Sequence, residues 1–192
     1  MSSLKKNEIP TKFLWIDLEM TGLRPEVDVI LEIAAEITNA QLETLASYEA
    51  RVAHPKDKLA RLMQENTFWR DFPNNRDDFL NNAESGKPLQ AVEHELMEIV
   101  EHHFGDELAV LAGNSIHSDK KFIESWMPQL DVKLHYRLLD VSSWKVVMQA
   151  MYGVVFEKPE VHRAYEDIQA SIAELQYYLH WLEEGTDSDD SK

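Results

Sequence analysis

The chain has 192 residues, 44% of them hydrophobic, and a formal net charge of -16. This suits one domain with a sizeable core, and it opposes any long polyanion, because no run of lysines or arginines forms a basic groove. There is no cysteine, so disulfides and thiolate metal sites are excluded. No apolar run is long enough to span a bilayer, and the N-terminal MSSLKKNEIP lacks the apolar segment of a signal peptide. The expected compartment is the cytoplasm, with no membrane association.

In chain order, Phe13–Leu18 reads as a buried first strand and ILEIAAEI as a second, its period of two putting one face in the core. LETLASYEARVAH reads as a third strand, and the close succession suggests an antiparallel meander. PKDKLARLMQENTFW reads as a helix, and RDFPNNRDDFLNNAESGKP as loop around a short helix. Leu89, Val92, Leu96, Ile99 and His103 recur at helical spacing. A short strand, LAVLAGN, then precedes a helix, HSDKKFIESWM, stopped near Pro128. HYRLLDV is a further strand and SSWKVVMQAMYG a further helix, with Ser142 or Ser143 as N-cap and Gly153 as C-cap. Ile168, Ile172, Leu175, Tyr178 and Leu182 define the last helix. This order predicts an α/β or α+β architecture: a mixed β-sheet with helices on its faces. The expected organisation is a flexible N-terminus over 1–12, one domain over 13–183 and an acidic disordered tail over 184–192. From Glu183 onward the chain holds five acids and one lysine, -4 of the -16 and leaving -12.

The stretch FLWIDLEMTGL ends an apolar strand with two acids, Asp17 and Glu19. Residues i and i+2 of a strand share a face, so the two carboxylates project together. Like charges this close raise each other's pKa unless a cation sits between them, and magnesium prefers oxygen ligands. The plainer reading is a solvated pair at a fraying strand end. Asp119 opens a helix in GNSIHSDKKF, and His162 precedes Asp167 by five residues in VHRAYEDIQASI. Taken singly, these read equally well as helix-start acids, favoured by the helix dipole, and a surface histidine.

Together, D-x-E in the first strand, an aspartate in a central helix and H-x-x-x-x-D late in the chain resemble the DEDDh group of 3′→5′ exonucleases. WIDLEMTGL, ILEIAAEIT, GNSIHSDKKFIESWMP, HYRLLDVSSW and HRAYEDIQASIAELQYY resemble the oligoribonuclease family within that group, from about Phe13 to Trp181. The resemblance implies an RNase H-like fold, a homodimer, and hydrolysis of very short RNAs, dinucleotides especially, from the 3′ end to mononucleotides. It implies Asp17, Glu19, Asp119 and Asp167 as ligands of two magnesium or manganese ions, and His162 as general base. It further implies base contacts from Leu18, Trp69 and Tyr136, the last supplied by the other protomer. Ser115, Arg137 and Ser142 are implied to hold the 5′ phosphate of a dinucleotide. The family pattern is broken after Trp69: WRDFPNNRDDFL puts Asn74 where a histidine is usual and lacks the following serine-glycine-leucine.

Two ions roughly 4 Å apart can clamp an in-line displacement at phosphorus, with an imidazole taking the proton of the attacking water. A dinucleotide has few phosphates, so no basic track is needed, and its bases can be held by stacking. The alternatives are a related exonuclease for longer DNA or RNA, or a nucleotide-binding module without catalysis. Retention of all five catalytic positions opposes the second.

Overall fold

A computed structural model describes residues 10–157 and 163–187 of the chain. The N-terminal residues 1–9, the segment 158–162 with His162, and residues 188–192 of the expected tail lie outside the described residues.

Strands β1 (Lys12–Met20), β2 (Ile30–Asn39) and β3 (Thr44–Arg51) form the expected antiparallel meander. Strands β4 (Ala109–Gly113) and β5 (Leu134–Asp140) add to it in parallel, β4 beside β1, giving the order β3-β2-β1-β4-β5. Between β3 and β4 run α1 (Lys56–Glu65), α2 (Phe68–Asp71), α3 (Pro73–Asn81) and α4 (Leu89–Phe104). Helices α5 (His117–Trp126) and α6 (Pro128–Asp131) connect β4 to β5. Helix α7 (Val141–Val147), a π-helical turn (Met148–Tyr152) and the long α8 (Ala164–Asp187) follow. None of the described helices is long and apolar enough to cross a membrane.

Alternation along β1 divides the core. Leu14, Ile16 and Leu18 point into a cluster with Val92, Leu96 and Val100 of α4 and Phe122 and Ile123 of α5. Trp15 points the other way, into a cluster with Ala34, Ala112 and Ile168, Ile172 and Leu175 of α8. Helices therefore cover both faces of the mixed sheet, as the α/β reading requires.

Three local readings are corrected, and the short helix expected in the polar stretch after Trp69 is found. β2 is buried on both faces, not one, because α8 covers the second. Its Glu32 and Glu36 are each 1% exposed, and buried charges persist only with partners. Glu36 accepts from the Thr44 hydroxyl at 2.6 Å and from the Gln169 amide. The predicted helix through Trp69 breaks at Asn66, whose side chain accepts the Phe68 N–H and donates to the Thr21 carbonyl. The polar stretch after it forms α3, with Pro73 at its first turn and Phe79 buried. The N-cap of α7 is Asp140, whose carboxylate accepts from the Ser142 N–H, rather than either serine. Gly153 closes that helical stretch at φ 68°, the left-handed conformation that favours glycine there.

Candidate active site

Because Asp17 and Glu19 follow Trp15 at steps of two, they project from the face that α8 covers. Ile168 anchors the start of α8 against Trp15, and the residue before it, Asp167, meets the two strand acids. One carboxylate oxygen from each of Asp17, Glu19 and Asp167 lies within 4.8 Å of the others, all three half-buried. Burial first, then the charges of Asp167 and Glu32, push the Glu19 carboxyl up to about 7, while the Arg163 guanidinium opposes the rise.

Asp119 reaches the same strand end from the opposite layer. The β1–β4 ladder runs only from Phe13↔Val110 to Trp15↔Ala112. Beyond it the N–H of Leu18 donates to Asp119 Oδ1 at 3.0 Å. The aspartate is 5% exposed, and burial pushes it up to about 7 although the Leu18 N–H pulls it down. Its charge also raises Glu19. The structure thus joins three of the four expected acids in one cluster and sets the fourth on the strand backbone between Asp17 and Glu19. Gly113 lets this happen: a Cβ there would stand 2.9 Å from the Ile16 carbonyl and 2.8 Å from Ile116.

This arrangement makes metal-free stability depend on pH in a definite sense. Asp119 has its folded pKa above its unfolded one. Its contribution is therefore fully present below about 3.8 and is lost as pH rises through about 7. The shift corresponds to a ceiling of about 4 kcal/mol, and a third of that moves the midpoint of a chain this size by roughly 3–5 °C. In EDTA at pH 8, Asp119→Asn is expected to melt higher than wild type. The gap should close towards pH 4, and magnesium should raise the wild type alone. Thermal melts at both pH values, with and without the ion, check this.

Beyond the acids, a cavity of about 210 Å³ is lined by Leu18, Glu19, Met20, Gly22, Leu23, Asn66 and Phe68. It adjoins a more polar one of about 340 Å³, which shares Gly22, Leu23 and Asn66 and adds Arg24, Asp28 and Thr67. Leu18 lines this cleft, as a base-contacting residue must. Trp69 does not. It is 1% exposed, donates its indole N–H to the Thr21 carbonyl at 3.0 Å and packs edge-on against Phe68 and Phe79. The break at Asn66 turns it inward, and the aromatic ring on the cleft is Phe68. Asn74 is exposed on the first turn of α3.

Ser115 and Ser142 converge on Asp140, which the sequence reading passed over. Its Oδ1 accepts from the Ser115 N–H at 2.9 Å, from the Ser142 N–H at 3.0 Å and from the Ser142 hydroxyl at 2.6 Å. Ser115 takes a left-handed φ of 55° to do so. The signal was present as an acid two residues before a serine pair, at the start of a helical stretch. Tyr136 and Arg137 stand on the edge strand β5. Tyr136 is 73% exposed, its ring stacked on His135 at 4.5 Å between centroids, with the Arg137 guanidinium 5.3 Å from its centre.

A protein-family model described as exonuclease matches residues 14–175. The mitochondrial oligoribonuclease of Bos taurus is 38% identical over 172 residues, 87% of this chain and 71% of that one. The oligoribonuclease of Ruthia magnifica is 36% identical, over 88% of this chain and 94% of the other. The chain belongs to the oligoribonuclease family. Among solved structures, exonuclease I of Methylocaldum szegediense superposes with a TM-score of 0.57 at 14% identity, over 84% of this chain. E. coli exonuclease I, solved with a dA13 oligonucleotide, gives 0.58 at 13% identity, over 85%. This chain spans 39% of the length of each exonuclease I chain. At such identity the likeness speaks for the fold alone. It places the oligoribonuclease sheet among exonuclease sheets, the RNase H-like arrangement.

Proposed function

We propose that this oligoribonuclease hydrolyses RNA dinucleotides and other very short oligoribonucleotides from the 3′ end, releasing 5′-mononucleotides with the help of two divalent cations. As a member of its family the chain is a 3′→5′ exoribonuclease. The observation that carries the proposal is the cluster of Asp17, Glu19 and Asp167, three oxygens within 4.8 Å beside a cleft. All-oxygen donors of this kind fit magnesium or manganese rather than a softer metal. A Glu19 carboxyl pushed up to about 7 by burial and then by the charges of Asp167 and Glu32 is one that a bound cation would favour in its ionised form. Asp17, Glu19 and Asp167 would hold the cations, with Asp119 joining them from the strand backbone. When bound, such ions polarise the scissile phosphate and activate water.

The chain's own residues then have distinct tasks. Leu18 and Phe68 offer apolar surface to the terminal base, replacing the role expected of Trp69. Ser115 and Ser142, oriented by Asp140, and Arg137 hold the 5′ phosphate. His162 takes the proton of the attacking water. Arg137 stands on an exposed edge strand, where the planar fork of a guanidinium suits a terminal phosphate.

Homodimerisation belongs to the same proposal. Tyr136 stands on β5, two strands from β1, whose end lines the cleft. Along the stretch from β5 to the π-helical turn, Tyr136, Leu138, Val146, Val147, Met151 and Tyr152 are all exposed. Such an apolar surface marks an interface, and a second copy covering it would lend Tyr136 to the neighbouring site. We place the enzyme in the cytoplasm, in keeping with its bacterial relatives; the name of the bovine relative makes the mitochondrion the other compartment to examine.

The test is release of mononucleotides from an RNA dinucleotide by the purified chain. Release with magnesium or manganese, abolished by EDTA and restored by excess metal, is expected. Binding of the dinucleotide without release would instead support the non-catalytic module.

A further inference from the structure

The helix that breaks the family's sequence pattern is tied to the acids by a closed ring of charges. Arg163 donates to Asp78 Oδ2 of α3 at 2.5 Å and to Glu32 Oε2 of β2 at 3.3 Å. Arg51 of β3 donates to the same two oxygens, at 2.7 and 3.2 Å. Both guanidinium groups lie over the Phe79 ring, 5.4 and 5.5 Å from its centre, a favourable cation–π placement. The Glu32 side chain is only 2% exposed, so its charge is confined to these partners and to the Ala164 N–H at 3.4 Å.

The ring stands one side chain away from the carboxylate cluster. Glu19 is directly opposite Glu32 in the β1–β2 register, and opposed side chains in an antiparallel pair share a face with Cβ atoms about 5 Å apart. Arg163 is thus within reach of Glu19 by a swing of its fork about Glu32. Its carbonyl also accepts the Asp167 N–H at 2.9 Å, so its backbone is part of the turn that presents Asp167. What turns its second nitrogen the other way is Asp78.

We propose that Asp78 is a positioning residue for the hydrolytic site: it holds the Arg163 guanidinium away from Glu19, so that this carboxylate is available to a cation held with Asp17 and Asp167. A guanidinium bridging Glu32 and Glu19 would neutralise Glu19 internally and would compete with the metal for it. On this view α3 contributes to metal affinity without touching the metal. The proposal rests on the metal-site reading above.

Manganese binding by the full chain, without substrate, is the test, read by calorimetry or by the loss of free-ion paramagnetic signal. Asp78→Ala is expected to weaken Mn²⁺ binding by about tenfold, the scale of one partly buried ion pair. Adding Arg163→Gln to that variant should recover most of the loss, because the competitor is gone. Asp78→Asn, which keeps the shape and an acceptor oxygen, should show a smaller shift of the same sign. Unchanged Mn²⁺ affinity in folded Asp78→Ala overturns the proposal, as does a double variant no better than the single one, which would mean general loosening. Asp17→Ala separates this from the underlying reading: if it binds Mn²⁺ as wild type does, the metal site itself is misassigned.

Discussion

Asp17→Ala is expected to lower kcat on an RNA dinucleotide by about 10³-fold or more, equivalent to roughly 4 kcal/mol of transition-state stabilisation. The residue stands half-buried in a cluster of three carboxylates, and removing it unseats a cation while taking no apolar contact from the core. Because the change takes no apolar side chain from the core, the variant is expected to melt close to wild type. A variant inactive because misfolded would melt well below it, so activity and melting midpoint are to be measured on the same preparation.

Tyr136→Ala carries the second large effect. Base stacking contributes roughly 1–3 kcal/mol, so the loss on dinucleotides should be about 10- to 100-fold, with Mn²⁺ affinity unchanged. Its ring is 73% exposed on β5, beside His135 and the Arg137 side chain, so the fold should not suffer. Mixing this variant with Asp17→Ala should restore activity if Tyr136 acts across a dimer. In the mixed dimer, the subunit with intact acids receives its tyrosine from the other. With free exchange of equal amounts, half the dimers are mixed and each has one complete site, about a quarter of the wild-type total. Mixing with no gain, once exchange is shown by differently tagged chains, would mean that Tyr136 serves its own subunit.

The acids were legible in the sequence because their signals are local. Two carboxylates closing an apolar strand contradict that strand's burial, and strand periodicity alone puts them on one face. The helix phase of Ile168 and Ile172 likewise placed Asp167 at the start of α8, and the succession of strands and helices anticipated helices on the faces of the sheet. The burial of Trp69 was not legible because its environment is set by tertiary contacts: the break at Asn66 and the Thr21 carbonyl turn it into the core, and neither leaves a periodic trace. That Phe68 lines the cleft was illegible for the same reason. Glu32 and Glu36 looked like the solvent face of β2. Only α8, arriving more than 120 residues later in the chain, buries them. Nothing in RDDF announces that Asp78 will meet Arg163, because the pairing spans 85 residues.

The position of β4 was also beyond local reading. A strand directly beside β1, parallel to it and 90 or more residues away, is a matter of topology. Its consequence is chemical, since the short ladder leaves the Leu18 N–H to Asp119. That hydrogen bond explains why a helix on the opposite layer can deliver a fourth acid to the strand end.

The most direct test is a cleavage time course with 5′-labelled RNAs of two to about ten nucleotides, with magnesium present and with EDTA as control. Shortening one nucleotide at a time from the 3′ end, with kcat/KM rising steeply as the substrate approaches two nucleotides, is the predicted result. Equal or faster cleavage of the longest RNAs, internal cuts, or undiminished cleavage in EDTA would contradict the assignment of a metal-dependent exoribonuclease for very short RNA.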